Sequence, residues 1–179
     1  MPWRRWQLGG VIGLIVILST ACGVDPEENW VIRLDHFHKI GSSGAGLTHG
    51  AANWSCVEDN LTGLWWEKKT QDGGVQDESQ TYRWDQLDNY VRTINSAGLC
   101  GHHDWRVPTI EELRTLVIRG RFPTIDEGYF PNTGGSSFWS GSPYADDSSL
   151  AWGVYFAYGS DSTNKKSNGY GVRVVRAGQ

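Results

Sequence analysis

The segment Cys100–Leu116, CGHHDWRVPTIEELRTL, concentrates side chains that bind metals or transfer protons. It contains a cysteine, the adjacent histidines His102 and His103, and Asp104. Adjacent residues of an extended chain point to opposite sides, so the two imidazoles are poorly placed to bind one metal ion. A structural zinc site would also need closely spaced cysteine pairs, which this segment lacks. The pattern therefore favours a connecting loop over a metal centre.

Two further groups of side chains have metal-binding chemistry. His36 and His38 would share one face of a strand, but no third histidine or carboxylate follows at a ligand-like spacing. The loop aspartates do not complete the D-x-[DN]-x-[DN]-G calcium loop, and we expect them to be solvated. They are Asp72, Asp77, Asp146, Asp147 and Asp161. The sequence predicts no metal or other cofactor; calcium bound by loop acids is the alternative, without a supporting motif.

Sequence motifs of nucleophilic and nucleotide-dependent catalysis are also missing. The chain contains no G-x-S-x-G element, no phosphate-binding P-loop and no dinucleotide fingerprint. These observations favour a protein that is not an enzyme. An enzyme remains an alternative, because catalytic triads are assembled in space rather than in sequence.

The N-terminus has the pattern of an export signal. Arg4 and Arg5 precede an apolar run from Leu8 to Leu18, and small residues lead to Cys22. A cysteine at this point is typical of a bacterial lipoprotein, although Ser19 stands where a leucine is usual. We expect residues 1–21 to be a signal peptide, Cys22 to be lipidated, residues 22–29 to be a tether, and residues 30–179 to form one domain. Cleavage without lipidation, or a retained anchor, is the alternative.

Charge and cysteine content restrict the partners and the compartment. The net charge is −4, and loss of the two arginines of the signal makes it 14 − 20 = −6, so nucleic acid is an unexpected partner. An exported, lipidated chain is expected in the cell envelope, at the outer membrane. Export also favours a disulfide between the two remaining cysteines, Cys56 and Cys100, over a reactive thiol.

Helical periodicity occurs at two places. Apolar residues recur from Trp84 to Ile94 at helical spacing, and Gly98 supplies a stop. Pro108 precedes a T-x-x-E capping box formed by Thr109 and Glu112. In this second helix we expect the inward-facing residues to be Leu113, Leu116 and Val117.

Short strands surround these helices. We expect a strand at Trp30–Leu34, a hairpin joining a strand that begins at Cys56 to Leu64–Glu67, and a strand at 137–140. Alternation in 151–158 and 170–175 predicts an antiparallel hairpin whose tip is the loop 159–169. The predicted fold class is α+β: two amphipathic helices among short antiparallel strands, with one disulfide.

Aromatic and polar residues near the C-terminus are the candidates for ligand contact. Aromatic faces beside amide, hydroxyl and charged groups suit sugar or protein binding. The candidates are Tyr144, Trp152, Tyr155, Tyr158, Asn164, Lys165 and Lys166. Core packing is the alternative favoured for Trp152 and Phe156, whereas the loops are expected to expose Tyr144 and the segment 164–166.

Several ordered motifs resemble one bacterial family, that of the C-terminal domain of the Legionella collagen-like adhesin, over about residues 56–176. They are CVEDNLTGLWWE (56–67), NSAGLCG (95–101), DWRVPTIEEL (104–113), PTIDEGYFPNT (123–133), FWSGSPY (138–144) and GVRVVR (171–176). The resemblance implies a C-type-lectin-like fold, related to that of the formylglycine-generating enzymes. It also implies structural motif roles for Trp105, Arg106, Pro108, Thr109, Glu112 and Arg173.

The resemblance also frames the expected function. Enzymes of the wider group use a reactive cysteine pair and a bound metal, whereas the adhesin of the nearer family is trimeric and binds sulfated polysaccharides. The basic residues near this C-terminus are Lys165, Lys166, Arg173 and Arg176. We expect a non-catalytic, surface-anchored module that binds a glycan or a protein, in a chain that is able to form an oligomer. A structural envelope subunit and a formylglycine-generating type of enzyme are the alternatives.

Overall fold

The computed structural model describes residues 36–178, which include two helices and seven strands. The predicted signal peptide (1–21), the lipidation site Cys22, the tether (22–29) and the strand Trp30–Leu34 lie outside the described residues. The helices are α1, Leu87–Ala97, and α2, Ile110–Arg114. The strands are β1 Phe37–Ile40, β2 Cys56–Asp59, β3 Leu64–Glu67, β4 Ser137–Pro143, β5 Leu150–Tyr155, β6 Ser160–Lys165 and β7 Val175–Ala177.

The strands form two antiparallel sheets. The first sheet has the order β1-β2-β3-β7, and the second has the order β4-β5-β6. The alternation of strand side chains divides the apolar residues between two clusters. Trp66 and Phe138 enter the first cluster with α2, whereas their neighbours Trp65 and Trp139 enter the second with α1. The described fold is therefore α+β, as the sequence predicted.

The disulfide and the first helix confirm two further predictions. Cys56 and Cys100 are bonded and buried, and the bond joins β2 to the segment that follows α1. A single 3-10 turn, Trp84–Gln86, leads into α1. Helix α1 ends at Gly98, whose φ of +67° lies in the left-handed region that favours glycine.

A buried network of polar groups joins β3 to the C-terminal segment. The Glu67 carboxylate accepts hydrogen bonds from Lys69 Nζ, the Tyr90 hydroxyl and the Val174 N–H. Arg173 donates to the Glu67 carbonyl at 2.6 Å, and burial lowers its pKa to about 10. Arg173, for which the resemblance implied a structural role, is fully buried.

The first part of the segment Cys100–Leu116 packs against α1 and the C-terminal segment. Trp105 is buried, and its backbone N–H and carbonyl both bond the side chain of Asn95 in α1. Asp104 pairs with the buried guanidinium of Arg176 at 2.7 Å. His102 makes a T-shaped ring contact with Trp65 of β3.

The start of α2 has the predicted capping box. Thr109 Oγ1 accepts a hydrogen bond from the Glu112 N–H at 3.2 Å, and Glu112 Oε2 accepts one from the Thr109 N–H at 2.8 Å. Both Glu112 oxygens also accept hydrogen bonds from Arg106, which lower the pKa of Glu112 below its usual value. Pro108 is buried beside this turn, and its carbonyl accepts a hydrogen bond from Gly141.

We expect Thr109→Ala to lower the free energy of unfolding by about 1 kcal/mol, because the substitution removes the N-cap acceptor. Denaturant unfolding followed by tryptophan fluorescence measures the change. The control is Thr93→Ala, at an exposed position of α1, with an expected change below about 0.5 kcal/mol. Equal changes for the two variants would show that the cap contributes nothing specific.

The structure corrects the predicted C-terminal hairpin. Strand β5 pairs with β6, which occupies residues predicted to be a loop, so Asn164 and Lys165 are strand residues. The segment 170–175 bridges Tyr82 and Phe138 and leads into β7, which pairs with β3. Residues 171–176 are all buried, so both sides of this stretch are covered. The alternation of its residues therefore did not indicate which strand it pairs with.

Three smaller predictions also need correction. The second helix has only five residues, although Leu116 and Val117 beyond it are buried as predicted. Asp77 is buried rather than solvated: hydrogen bonds from the Ser79 hydroxyl and N–H and from the Gly73 N–H lower its pKa to about 2. The predicted basic residue Arg173 is buried in the core and does not contribute to a basic surface.

Candidate binding surface

One end of the candidate surface is built on β5 and α2. The rings of Tyr144 and Trp152 meet edge to face with their centroids 5.7 Å apart. The Arg114 guanidinium lies 6.0 Å from the Trp152 ring centroid. Trp152 is half-buried and packs against the first core cluster, so the core packing expected for it is confirmed in part. The register with β6 puts Lys165 on the same sheet face as Trp152.

A polar cavity lies next to this aromatic pair. Its volume is about 240 Å³, and its lining residues are Arg114, Val117, Arg119, Gly159 and Asp161. Arg114 forms an ion pair with Asp161, and this hydrogen bond lowers the pKa of the Asp161 carboxyl. The cavity therefore presents guanidinium groups and a carboxylate beside aromatic faces.

The other end of the candidate surface lies at the turn after β5. Tyr158 is 75% exposed, and its ring centroid is 5.4 Å from that of Tyr155. Phe122 is 73% exposed. Its ring lies against Gly135, where an added Cβ atom would be 3.1 Å from the ring and 3.2 Å from Ala157 Cβ. Exposed aromatic rings therefore cluster around the turn between β5 and β6.

A close backbone approach holds this turn in position. Gly159 has a φ of +65°, and an added Cβ atom would come within 2.5 Å of Val117 Cγ1. Thr124 fixes the same turn, because its N–H and hydroxyl both donate to the Phe156 carbonyl at 2.7 Å. The turn is thus anchored to the segment that carries Arg119 and Phe122. We call this surface the aromatic strip, formed by Tyr144, Trp152, Arg114, Arg119, Phe122 and Tyr158.

Three of the predicted contact residues lie away from the aromatic strip. Tyr155 lies three positions after Trp152 in β5, so its side chain is on the other face of the sheet. Asn164 accepts a hydrogen bond from the Tyr170 hydroxyl at 2.9 Å, on the sheet face opposite to Trp152. Lys166 Nζ donates to the Ser148 carbonyl and lies 4.2 Å from the Trp84 ring centroid. Trp84 borders a separate groove of about 290 Å³ along α1. The seven predicted residues therefore do not form one site.

Sequence reasoning missed Arg114, Arg119, Phe122 and the role of Asp161. The helical pattern predicted which residues face inward and gave no prediction for Arg114. Asp161 had the pattern of an ordinary solvated loop acid. The signal for Phe122 was the segment R-G-R-F-P (119–123), which puts a phenylalanine between charged and turn-forming residues without strand or helix periodicity. Such an isolated aromatic residue is a poor core candidate.

The described part of the chain shows no metal-binding cluster and no membrane-spanning helix. Among residues 36–178, no three histidine, cysteine, aspartate or glutamate side chains are grouped so as to hold a metal ion. No helix in this range is long and apolar enough to cross a membrane. Both cysteines of the range form the disulfide, so neither is a free thiol.

Comparison with known proteins gives the family. A sequence model of the Lcl C-terminal domain matches residues 55–176, which are 176 − 55 + 1 = 122 of the 179 residues. No curated protein matches the chain. The matched range includes both sheets except β1 and the last residue of β7, and it includes the whole aromatic strip. This chain therefore belongs to the Lcl C-terminal domain family.

Proposed function

We propose that this protein is a non-catalytic recognition module that binds a glycan or protein ligand through the aromatic strip. The observation that carries the proposal is the exposure of Phe122 and Tyr158 at the turn that contributes Gly159 to a cavity lined by Arg114 and Arg119. Aromatic and arginine side chains are enriched at the centres of binding interfaces, whereas large apolar groups are usually buried. Their clustering in the family domain supports recognition as its function.

Each group of the aromatic strip would contribute a different interaction. The faces of Trp152 and Tyr158 suit the apolar face of a sugar ring or of an apolar side chain. The arginines supply directional donors, and the Asp161 carboxylate supplies acceptors. The pairing of Arg114 with Asp161 holds both groups in one geometry, which reduces the entropy lost when a ligand is bound.

The export pattern and the motifs extend this proposal. We place the module at the cell envelope, as a lipoprotein anchored through Cys22 at the outer membrane, with a C-type-lectin-like architecture. The bonded state of Cys56 and Cys100 favours binding over the formylglycine-generating chemistry, which uses a reactive cysteine pair. The exposed aromatic rings would also suit a structural subunit with one fixed partner. Co-purification of a stoichiometric envelope protein would favour that second function.

The test compares the double variant Phe122→Ala/Tyr158→Ala with Leu61→Ala. Leu61 is 60% exposed in the turn between β2 and β3, so it is a control for the loss of exposed apolar surface outside the aromatic strip. The full chain in detergent would be screened against glycans and envelope proteins, and the affinity of each variant measured for the ligand found. We expect the double variant to weaken binding at least about tenfold and Leu61→Ala to leave it unchanged.

Two results would contradict the proposal. One is equal affinity of the double variant and the wild type. The other is failure of the wild type to bind anything in the screen, together with normal adhesion and aggregation of cells that lack the protein. Thermal unfolding of both variants would confirm that each remains folded.

A further inference from the structure

A second cluster, centred on Trp54, lies outside the aromatic strip and carries two lysine ammonium groups. Lys39 Nζ is 3.9 Å and Lys68 Nζ is 4.6 Å from the Trp54 ring centroid. A hydrogen bond of 3.0 Å from the indole N–H to the Tyr129 carbonyl holds the ring in place. Lys39 is only 9% exposed, although it belongs to the edge strand β1. Two positive charges are therefore held beside one aromatic ring, and one of them is largely removed from water.

No carboxylate of the described chain compensates these charges. Neither ammonium belongs to an ion pair among residues 36–178. Lys39 donates a hydrogen bond to the Ala51 carbonyl at 2.8 Å. This bond satisfies one N–H of the ammonium group but does not neutralise its positive charge. Two acids of the adjoining strand and loop, Asp59 and Asp126, have other partners. Asp59 lies 3.4 Å from His36, and Asp126 lies 3.9 Å from Arg121.

The neighbouring Lys69 is a fully buried lysine, and it serves as a comparison. Its ammonium bonds the Glu67 carboxylate, the Tyr90 hydroxyl and the Val172 carbonyl, each at 3.0 Å. The pKa of Lys68 is lowered by partial burial first and by the charge of Lys39 second. A carboxylate thus accompanies Lys69, whereas the two lysines at Trp54 have the aromatic ring and, for Lys39, the Ala51 carbonyl, but no negative charge. A built-in pair of like charges is stabilised when an anion from outside occupies the site.

Space for such an anion lies directly beside Lys39. A cavity of about 240 Å³ is lined by Phe37, His38, Lys39, Leu47, His49 and Tyr129. His49 uses Nδ1 for a 2.7 Å hydrogen bond with the Tyr129 hydroxyl, so Nε2 is the ring nitrogen left for a ligand. The apolar walls of Phe37 and Leu47 would strengthen an ionic contact by excluding water.

We propose that this cavity binds one oxyanion of the phosphate type, held by Lys39 and His49 with Lys68 as the second cation. Two ammonium charges match a dianion. Lys39 and His49 line the cavity and supply the N–H donors that phosphate oxygens accept, whereas Lys68, which lies by the Trp54 ring, contributes its positive charge. The ligand is either free phosphate or a phosphate monoester group of a larger molecule. The site shares no residue with the aromatic strip, so it is independent of the proposed function.

The test measures phosphate binding to the full chain in detergent, by calorimetry at constant ionic strength with chloride as the balancing anion. We expect saturable binding to the wild type, at least tenfold weaker binding to Lys68→Gln, and none detectable to Lys39→Gln. Lys165→Gln, at an exposed position of β6, is the matched control and should bind like the wild type. Methyl phosphate distinguishes the sources: tight binding indicates a monoester of a larger molecule, and its exclusion indicates free phosphate.

Absence of saturable phosphate binding to the wild type would overturn the proposal. So would unchanged affinity in Lys68→Gln, which keeps the test valid even if the buried Lys39→Gln variant fails to fold. Circular dichroism of each variant establishes folding before binding is measured. Loss of ligand binding in the aromatic-strip variants has no bearing on this outcome, because phosphate binding would persist in them.

Discussion

Replacing Glu67 with glutamine is expected to lower the free energy of unfolding by about 3 to 5 kcal/mol. Four donors converge on this buried carboxylate: Lys69 Nζ, the Tyr90 hydroxyl, the Val174 N–H and Gln76 Nε2. A glutamine has nearly the same shape but only one oxygen, and its amide nitrogen would face a donor. The substitution also leaves the Lys69 ammonium buried without its counter-ion. Chemical denaturation at neutral pH, followed by tryptophan fluorescence, measures the loss.

A second substitution separates the charge effect from a general packing defect. Lys69→Met in the Glu67→Gln background removes the uncompensated ammonium and should recover part of the lost stability. Glu58→Gln, at a half-exposed position of the adjoining strand β2, is the control and should change stability by less than about 0.5 kcal/mol. If Glu67→Gln were as mild as the Glu58 variant, the buried network would not be what holds β3 to the C-terminal segment.

Removal of the Trp105 side chain should cost about 3 to 5 kcal/mol. The residue is only 2% exposed and belongs to the second core cluster, between α1 and the first sheet. Its indole N–H donates to the Leu99 carbonyl at 2.9 Å. In Trp105→Ala this acceptor loses its partner and a large cavity opens beside the disulfide segment. Thermal and denaturant unfolding of the same variant would give the change.

Trp105→Phe tests the two contributions separately. The phenyl ring keeps most of the buried volume but cannot donate to Leu99, so the expected loss is about 1 kcal/mol. A loss below about 1 kcal/mol for Trp105→Ala would mean that the neighbouring core relaxes into the space. That result would contradict a scaffold role for the segment that contains Trp105.

Local patterns predicted the elements whose causes are local. The T-x-x-E box at Thr109 and the left-handed stop at Gly98 depend on a few adjacent residues, and both are confirmed. The β2–β3 hairpin is confirmed for the same reason. The disulfide followed from an expected oxidising compartment and a count of two cysteines, which left one pairing.

The pairing of the C-terminal strands could not be predicted in the same way. An alternating segment shows that it can be a strand but not which strand it will join, because hydrogen bonding between strands involves the backbone of every residue alike. Residues 160–165 are polar, so their sequence suggested a loop, yet as the edge strand β6 they can leave one side in water. Burial of 171–176 is decided by elements that lie far away in the sequence.

By itself, the sequence determined the fold class, the disulfide and the helix boundaries set by Thr109 and Gly98. Only the tertiary structure decided that Phe122 and Tyr158 lie at a turn whose Gly159 shares a cavity with Arg114 and Arg119, and that Lys39 and Lys68 both contact the Trp54 ring. The reason is physical. Caps and turns are closed by neighbouring residues, whereas a binding surface is made by side chains from separate elements whose approach depends on packing of the whole core.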